Sequence, residues 1–226
     1  MTNKIHPTAI IEGNVELGSG NEIGPYSVLY GPLKIGDNNL ISPNVVIGTL
    51  GQDTRNPRYD GSNSPIEIGN NNIIREGTAI HKPCYKDITK IGNNTYIMHS
   101  VHIPHDAIIE DDVVITPMVA MGGIVTLMQG ANIALGVTVQ QYCVIGQYSI
   151  AAMGSAVTRN IRPFCKYIPG KGIFVNDYAV NKYGFADVAE QIEDYVLRNV
   201  SPQDANLQQI IARFDAAVAT SGRQTY

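Results

Sequence analysis

The chain of 226 residues has no tryptophan, three cysteines, and charged side chains at only 16% of its positions. The cysteines, Cys84, Cys143 and Cys165, form no Cys-x-x-Cys pair and no Cys/His zinc spacing. That excludes a disulfide-stapled scaffold and fits reduced thiols, with no metal expected. Sixteen Lys and Arg stand against 20 Asp and Glu, a net charge of −4. The broad basic surface that binds nucleic acid is therefore missing, and no nucleic acid is expected as a partner. No stretch approaches the roughly 18 apolar residues of a membrane span. The start, Met1-Thr2-Asn3-Lys4-Ile5-His6-Pro7, lacks the apolar run of a secretory signal, so the expected location is cytoplasmic. The 44% of hydrophobic residues is nonetheless enough for a packed core.

Those hydrophobic residues recur every six positions. One run is Ile5, Ile11, Leu17, Ile23, Leu29, Ile35, Ile41 and Ile47. A second is Ile68, Ile74 and Ile80, and a third runs from Ile91 through Ile97, Ile103, Ile109 and Ile115 to Val157. Of these 23 positions, 22 are Ile, Leu, Val or Met, where composition alone would give about six. A weaker register of small or β-branched residues sits four positions later (Val45, Thr78, Val101, Ala107, Val113). A helix repeats near 3.6 residues and a lone strand at 2, so neither explains a period of six. A β-solenoid does: each hexad is one short strand and a corner, three hexads close a triangular coil, and each Ile stacks on the one eighteen residues later. Glycines often follow the ladder residue, as at Gly69, Gly92 and Gly122, where a tight corner favours them.

The period breaks at 49–67 and 81–90, which are expected to be loops thrown out from the prism, and loops on a rigid scaffold tend to carry function. Beyond Val157 the ladder stops. Residues 176–199 then carry Val180, Val188, Ile192 and Val196 at helical spacing, and Ser201-Pro202 is expected to open a second helix with the apolar face Leu207, Ile210, Ile211, Phe214 and Val218. The chain is thus expected to be all-β, a parallel β-helix over 1–160 with a small C-terminal α-helical region over 161–226.

Several segments resemble the UDP-N-acetylglucosamine acyltransferase family of lipid A biosynthesis. They are Ile5-His6-Pro7-Thr8-Ala9-Ile10, Ile23-Gly24-Pro25, Gln52-Asp53, Glu67-Ile68-Gly69, Ile74-Arg75-Glu76, Ile80-His81, His102-Ile103-Pro104-His105-Asp106, Gln141-Tyr142-Cys143-Val144-Ile145-Gly146 and Gly184-Phe185. The resemblance implies a left-handed coil and a homotrimer with sites between neighbouring subunits. It implies an acyl carrier protein or CoA thioester as donor, a nucleotide sugar as acceptor, and no cofactor beyond these co-substrates.

Acyl transfer needs a base, an oxyanion donor and groups that align two substrates. His105 sits two residues past the ladder position Ile103, off the inward register, and a histidine titrates near neutral pH. The resemblance makes it the base, with Asp106 orienting it and the Gly122 amide stabilising the oxyanion. It also implies substrate contacts at Gln52, Asp53, Arg58, His81, His102, Gln141, Asn176 and Lys182, and a limit on acyl length at Met153, whose bulk suggests a short chain. Independently, residues 159–182 hold Arg159, Arg162, Lys166, Lys171 and Lys182 against the single acid Asp177, a patch suited to phosphates or an acidic carrier protein.

The chain departs from the family pattern in places. Gly123 and Gln140 stand where histidines are usual, one residue is gained between them, and Leu135 replaces a glycine. Three other readings compete: a sugar N-acyltransferase of surface-polysaccharide synthesis, a γ-type carbonic anhydrase with zinc on histidines among His81, His99, His102 and His105, and a non-catalytic scaffold.

Overall fold

The computed structural model describes residues 2–55 and 64–226. Among these, 25 short strands form three sheets of ten, eight and seven, the walls of a left-handed parallel β-helix. Sheet 1 begins at Lys4–Ile5, sheet 2 at Ile10–Glu12 and sheet 3 at Val15–Leu17, and every third strand returns to the same wall. The six-residue ladder sets the register. Ile5 pairs with Ile23 and Ile23 with Ile41 on sheet 1, while Leu17 pairs with Ile35 on sheet 3.

All the ladder residues from Ile23 to Val157 are buried. Fully burying one such side chain contributes about 1.5–3 kcal/mol, and each buried residue packs on the coil above and the coil below. Ile5 and Ile11, in the first coil, remain 43% and 37% exposed, with no coil among the described residues beneath them. A second ladder runs along the corner from sheet 3 to sheet 1. Asn3, Asn21, Asn39 and Asn72 each accept the backbone N–H of the residue one coil on (2.8–2.9 Å). Their amide nitrogens donate to Gly18, Gly36, Gly69 and Gly92 carbonyls (2.8–3.0 Å). Buried backbone groups that miss the strand pairing are satisfied this way.

The corner glycines are needed because, as expected of a tight corner, a Cβ has no room there. At Gly69 a Cβ would lie 2.6 Å from the Gly92 carbonyl oxygen. Close approach of successive coils, rather than a left-handed backbone, excludes side chains there.

Both breaks in the period fall at the corner from sheet 2 to sheet 3. Ile41 pairs with Ile74, a step of 33 residues in place of 18, because the first loop leaves after Val46–Thr49 and returns at Ile66–Ile68. Ile74 pairs with Ile97, a step of 23, because the second leaves after Ala79–His81 and returns at Thr89–Ile91. The two insertions, one coil apart, leave and re-enter the prism on the same edge.

The coil continues past the expected boundary at 160. Cys165–Ile168 adds to sheet 1 beside Ile150–Ala151 and turns back as the antiparallel strand Gly172–Val175. Helices α1 (Asp177–Lys182), α2 (Ala189–Arg198) and α3 (Ala205–Val218) follow. They close this end over an aromatic cluster in which Tyr148 meets Phe164, Tyr183 and Phe185 at 4.7–5.2 Å. The expected helix start at Ser201-Pro202 lies three residues early. Asp204 is the N-cap, its carboxylate accepting from Leu207 N at 2.9 Å, a role that suits a short acid. Leu207, Ile210 and Phe214 are buried as expected. No helix among the described residues is long and apolar enough to cross a membrane.

Candidate active site

His102–Ile103 is a strand of sheet 2, and Ile103 fills the core. The chain then turns the corner to sheet 3, so His105 and Asp106 stand on the edge where the two loops emerge. His105 Nδ1 lies 2.6 Å from Asp106 Oδ2. A carboxylate only accepts, so Nδ1 carries the proton, and in the neutral ring the lone pair is on Nε2. Nε2 has no hydrogen-bond partner among the described residues.

The second loop fixes Asp106. Its carboxylate accepts the backbone N–H groups of Cys84, Tyr85 and Lys86 at 2.7–3.2 Å, and its own N–H donates to Thr89 Oγ1 at 2.9 Å. Its backbone is left-handed (φ 63°), which a short polar residue tolerates. Burial works against the charge, but the His105 ring and the three amides outweigh it and hold the carboxyl below its ordinary range. The insertion that broke the six-residue period is thus what holds the acid.

The imidazole rests in a cradle of glycine. A Cβ on Gly123 would lie 2.2 Å from His105 Cε1 and 2.4 Å from Nε2; one on Gly51 would meet Cys84 Sγ at 2.1 Å and His105 Cβ at 3.0 Å. The expectation that Gly122 stabilises the oxyanion is corrected here. Its N–H donates to Val139 O at 2.8 Å within the coil ladder. The amide of Gly123, against the ring, has no acceptor among the described residues. The coil is regular across this stretch: Ala120 pairs with both His102 and Thr138, so His105, Gly123 and Gln141 follow at an unbroken spacing of 18. Gln141 is exposed, and its carbonyl accepts from Arg223 Nε at 3.0 Å, which brings a residue from the end of the chain to this edge.

His81 and His102 stand beside each other, ring centroids 5.0 Å apart. His81 Nδ1 lies 3.0 Å from Leu50 O, and His102 Nδ1 lies 3.1 Å from Met121 O. Since carbonyls only accept, both rings carry the proton on Nδ1 and, when neutral, keep a lone pair on Nε2. His102 Nε2 is buried without a partner. Burial, with smaller contributions from the neighbouring histidines, lowers both pKa values and favours these neutral acceptors. Lys82, next along, is also buried, its Nζ 2.6 Å from Gly31 O.

On the first loop, Gln52 is exposed. Asp53 is occupied: Arg55 donates from Nε and Nη2 at 2.8 Å, and Tyr85 Oη donates at 2.5 Å. Arg55 above all, then Tyr85, holds the Asp53 carboxyl well below its ordinary range. Arg58 lies outside the described residues.

Three expected residues are not brought to this edge. Asn176 and Lys182 line a cavity of about 160 Å³ over sheet 1, with Asn132, Lys166, Tyr178 and Tyr183. Asn176 is buried there and donates from Nδ2 to Tyr148 O at 2.7 Å; Lys182 Nζ lies 4.9 Å from the Tyr183 ring centroid. Met153, 68% exposed, follows Ile150–Ala151 at the corner from sheet 1 to sheet 2, one coil beyond the exposed Leu135; the exposed Met118 is at the same corner, one residue off that column. His99 is at that corner too, hydrogen-bonded to Glu76 O at 3.1 Å. Among the described residues no three His, Cys, Asp or Glu side chains converge on a metal position.

Sequence missed Gly51, Gly123, Tyr85 and Arg223. For Gly123 a signal existed, its place eighteen residues after His105.

The family pattern for bacterial transferase hexapeptides (six repeats) matches residues 14–49 and 88–123, the second span including the His105 corner. The acyl-[acyl-carrier-protein]–UDP-N-acetylglucosamine O-acyltransferase of Pseudomonas fluorescens (strain Pf0-1) is 30% identical over 168 residues, 73% of this chain and 65% of that protein. This chain thus spans just under two thirds of that relative. The UDP-N-acetylglucosamine acyltransferase of Bacteroides fragilis 9343 superposes with a TM-score of 0.69 at 26% identity, covering 99% of this chain and 98% of that one. That of Francisella novicida gives 0.68 at 25%, covering 99% and 91%. By its repeats, its coil and these relatives, the chain resembles the bacterial hexapeptide transferases, and among them the UDP-N-acetylglucosamine acyltransferases.

Proposed function

We propose that this protein transfers an acyl group from a thioester, on an acyl carrier protein or CoA, to a hydroxyl or amine of a UDP-N-acetylglucosamine-type nucleotide sugar. The observation that carries the proposal is the His105–Asp106 pair, with Nδ1 committed to the carboxylate at 2.6 Å and Nε2 left basic over Gly123.

In this reading His105 Nε2 takes the proton from the acceptor O–H or N–H as that atom attacks the thioester carbonyl carbon. The new C–O or C–N bond leaves an oxyanion, which the Gly123 N–H stabilises. The C–S bond then breaks, and the departing thiolate takes the proton from the imidazolium. His81 and His102 offer acceptor nitrogens to sugar hydroxyl or amide donors, and Gln52 and Gln141 stand on the same edge.

Asn176 and Lys182, over sheet 1, share a site with His105 only if a second copy supplies them. We therefore place the active site between subunits of a homotrimer, with the basic stretch 159–182 facing the phosphates or the acidic carrier. The apolar residues Met118, Leu135 and Met153 at that corner then face the acyl chain, and the bulk of Met153 favours a short one.

The test is transfer with a panel of nucleotide sugars and of acyl-carrier and acyl-CoA donors of different lengths. Expected are turnover by the wild type, a loss of about 10²–10⁴-fold in His105→Ala, and a mass in solution of three chains of 24.5 kDa. Unchanged turnover in His105→Ala would remove the base, and long donors outpacing short ones would remove the role given to Met153.

A further inference from the structure

We propose that Tyr85 is a positioning residue that locks the first loop to the His105 imidazole; this rests on the acyl-transfer reading above. Tyr85 belongs to the second loop and makes three separate attachments. Its N–H donates to the Asp106 carboxylate at 3.0–3.1 Å. Its ring tilts by 44° against that of His105, centroids 5.7 Å apart. Its hydroxyl donates to Asp53 Oδ2 at 2.5 Å on the first loop. One side chain therefore joins both loops to the base.

The division of labour follows from the chemistry of each attachment. The ring limits how far the imidazole can swing while Nδ1 stays on Asp106. The phenol supplies a charge-assisted hydrogen bond to Asp53, whose remaining acceptor positions hold Arg55 in a fork. Asp53 so anchored orients the guanidinium of Arg55, 85% exposed, toward the anionic part of an acceptor. The hydroxyl thus governs acceptor binding, and the ring governs the chemical step.

Two variants separate the parts. Tyr85→Phe keeps the ring and loses the donor: KM for the nucleotide sugar rises about tenfold, kcat stays within about twofold, and the His105 ring-proton NMR signals stay in place. Tyr85→Leu loses the ring: kcat falls about tenfold or more and the His105 signals move as the ring current disappears. Should Tyr85→Phe fold poorly, Asp53→Asn serves in its place, giving the same rise in KM. A wild-type KM in Tyr85→Phe, or an unmoved kcat and unmoved His105 signals in Tyr85→Leu, overturns the proposal. If the wild type transfers no acyl group, the underlying reading fails, while the His105 signals of the ligand-free variants still decide the ring contact.

Discussion

Gly123 lies one coil beyond His105, and the imidazole fills the space its side chain would occupy, a Cβ there coming within 2.2 Å of Cε1. The base can lie flat on the wall of the prism only because this position has no side chain. Gly123→Ala must push the ring away from the unpaired amide. Acyl transfer should fall about 10²-fold or more, while far-UV circular dichroism and the melting temperature change little. Gly136→Ala is the control. It has a left-handed backbone (φ 65°) and open space around it, so it should cost about 1 kcal/mol of stability and leave turnover alone. Equal turnover in the two variants would remove the cradle from the mechanism.

The carboxyl of Asp106 is held below its ordinary value of 3.8, because His105 and three amides together outweigh burial. A carboxyl depressed in the folded state binds its proton more readily when unfolded. Its stabilisation is therefore complete above the unfolded value and lost as pH falls through the lower folded one. The gap in melting temperature between wild type and Asp106→Asn should be full above the unfolded value of 3.8 and shrink as pH falls below it. Parallel curves across that window would show that the three amides do not favour the charged form.

All three thiols are buried and free. Burial pushes Cys143 up to about 11 and Cys165 up to about 12, and it raises Cys84, beside Asp106, in the same direction. The thiolate is the reactive form. Native protein at about pH 8 should therefore react with a disulfide reagent far more slowly than the denatured chain, which should titrate three thiols. One thiol reacting at the denatured rate would locate an opening in the coil or the second loop.

The ladder should show its ends in stability. Ile103 is fully buried between coils, whereas Ile11 is 37% exposed in the first. Ile103→Ala should cost about 2–5 kcal/mol. Ile11→Ala should cost under about 1 kcal/mol, since little apolar area is removed from contact. Urea titration at constant slope gives both numbers, and equal losses would mean that the first coil is covered in solution.

Most of the coil was legible because a solenoid repeats one local rule. The ladder from Ile23 to Val157 identified the inward positions, and the two broken phases identified the loops. His105 and Asp106 were legible as a motif, and the structure brings them together. The choice between Gly122 and Gly123 was only half legible, since the spacing of eighteen from His105 favoured Gly123 but could not show which amide is free. Both are glycines at a corner, and only the pairing of coils decides that one amide is used by Val139 while the next is left. Tyr85 was invisible for a related reason: it lies in a segment without period, and its partners Asp53 and His105 are 32 and 20 residues away. The extension of sheet 1 past residue 160 was missed because Cys165–Ile168 lacks the six-residue spacing and pairs only once the coil is there to receive it.

By itself the sequence determined the prism: a side chain needed inside every six residues leaves few ways to bury it, and every coil repeats the solution. The tertiary structure decided which polar groups meet at the edge. Hydrogen bonds from the amides of residues 84–86 to Asp106, and the glycine face that receives His105, join residues 18 or more positions apart. Such contacts depend on how coils stack and where loops re-enter, which no local spacing encodes.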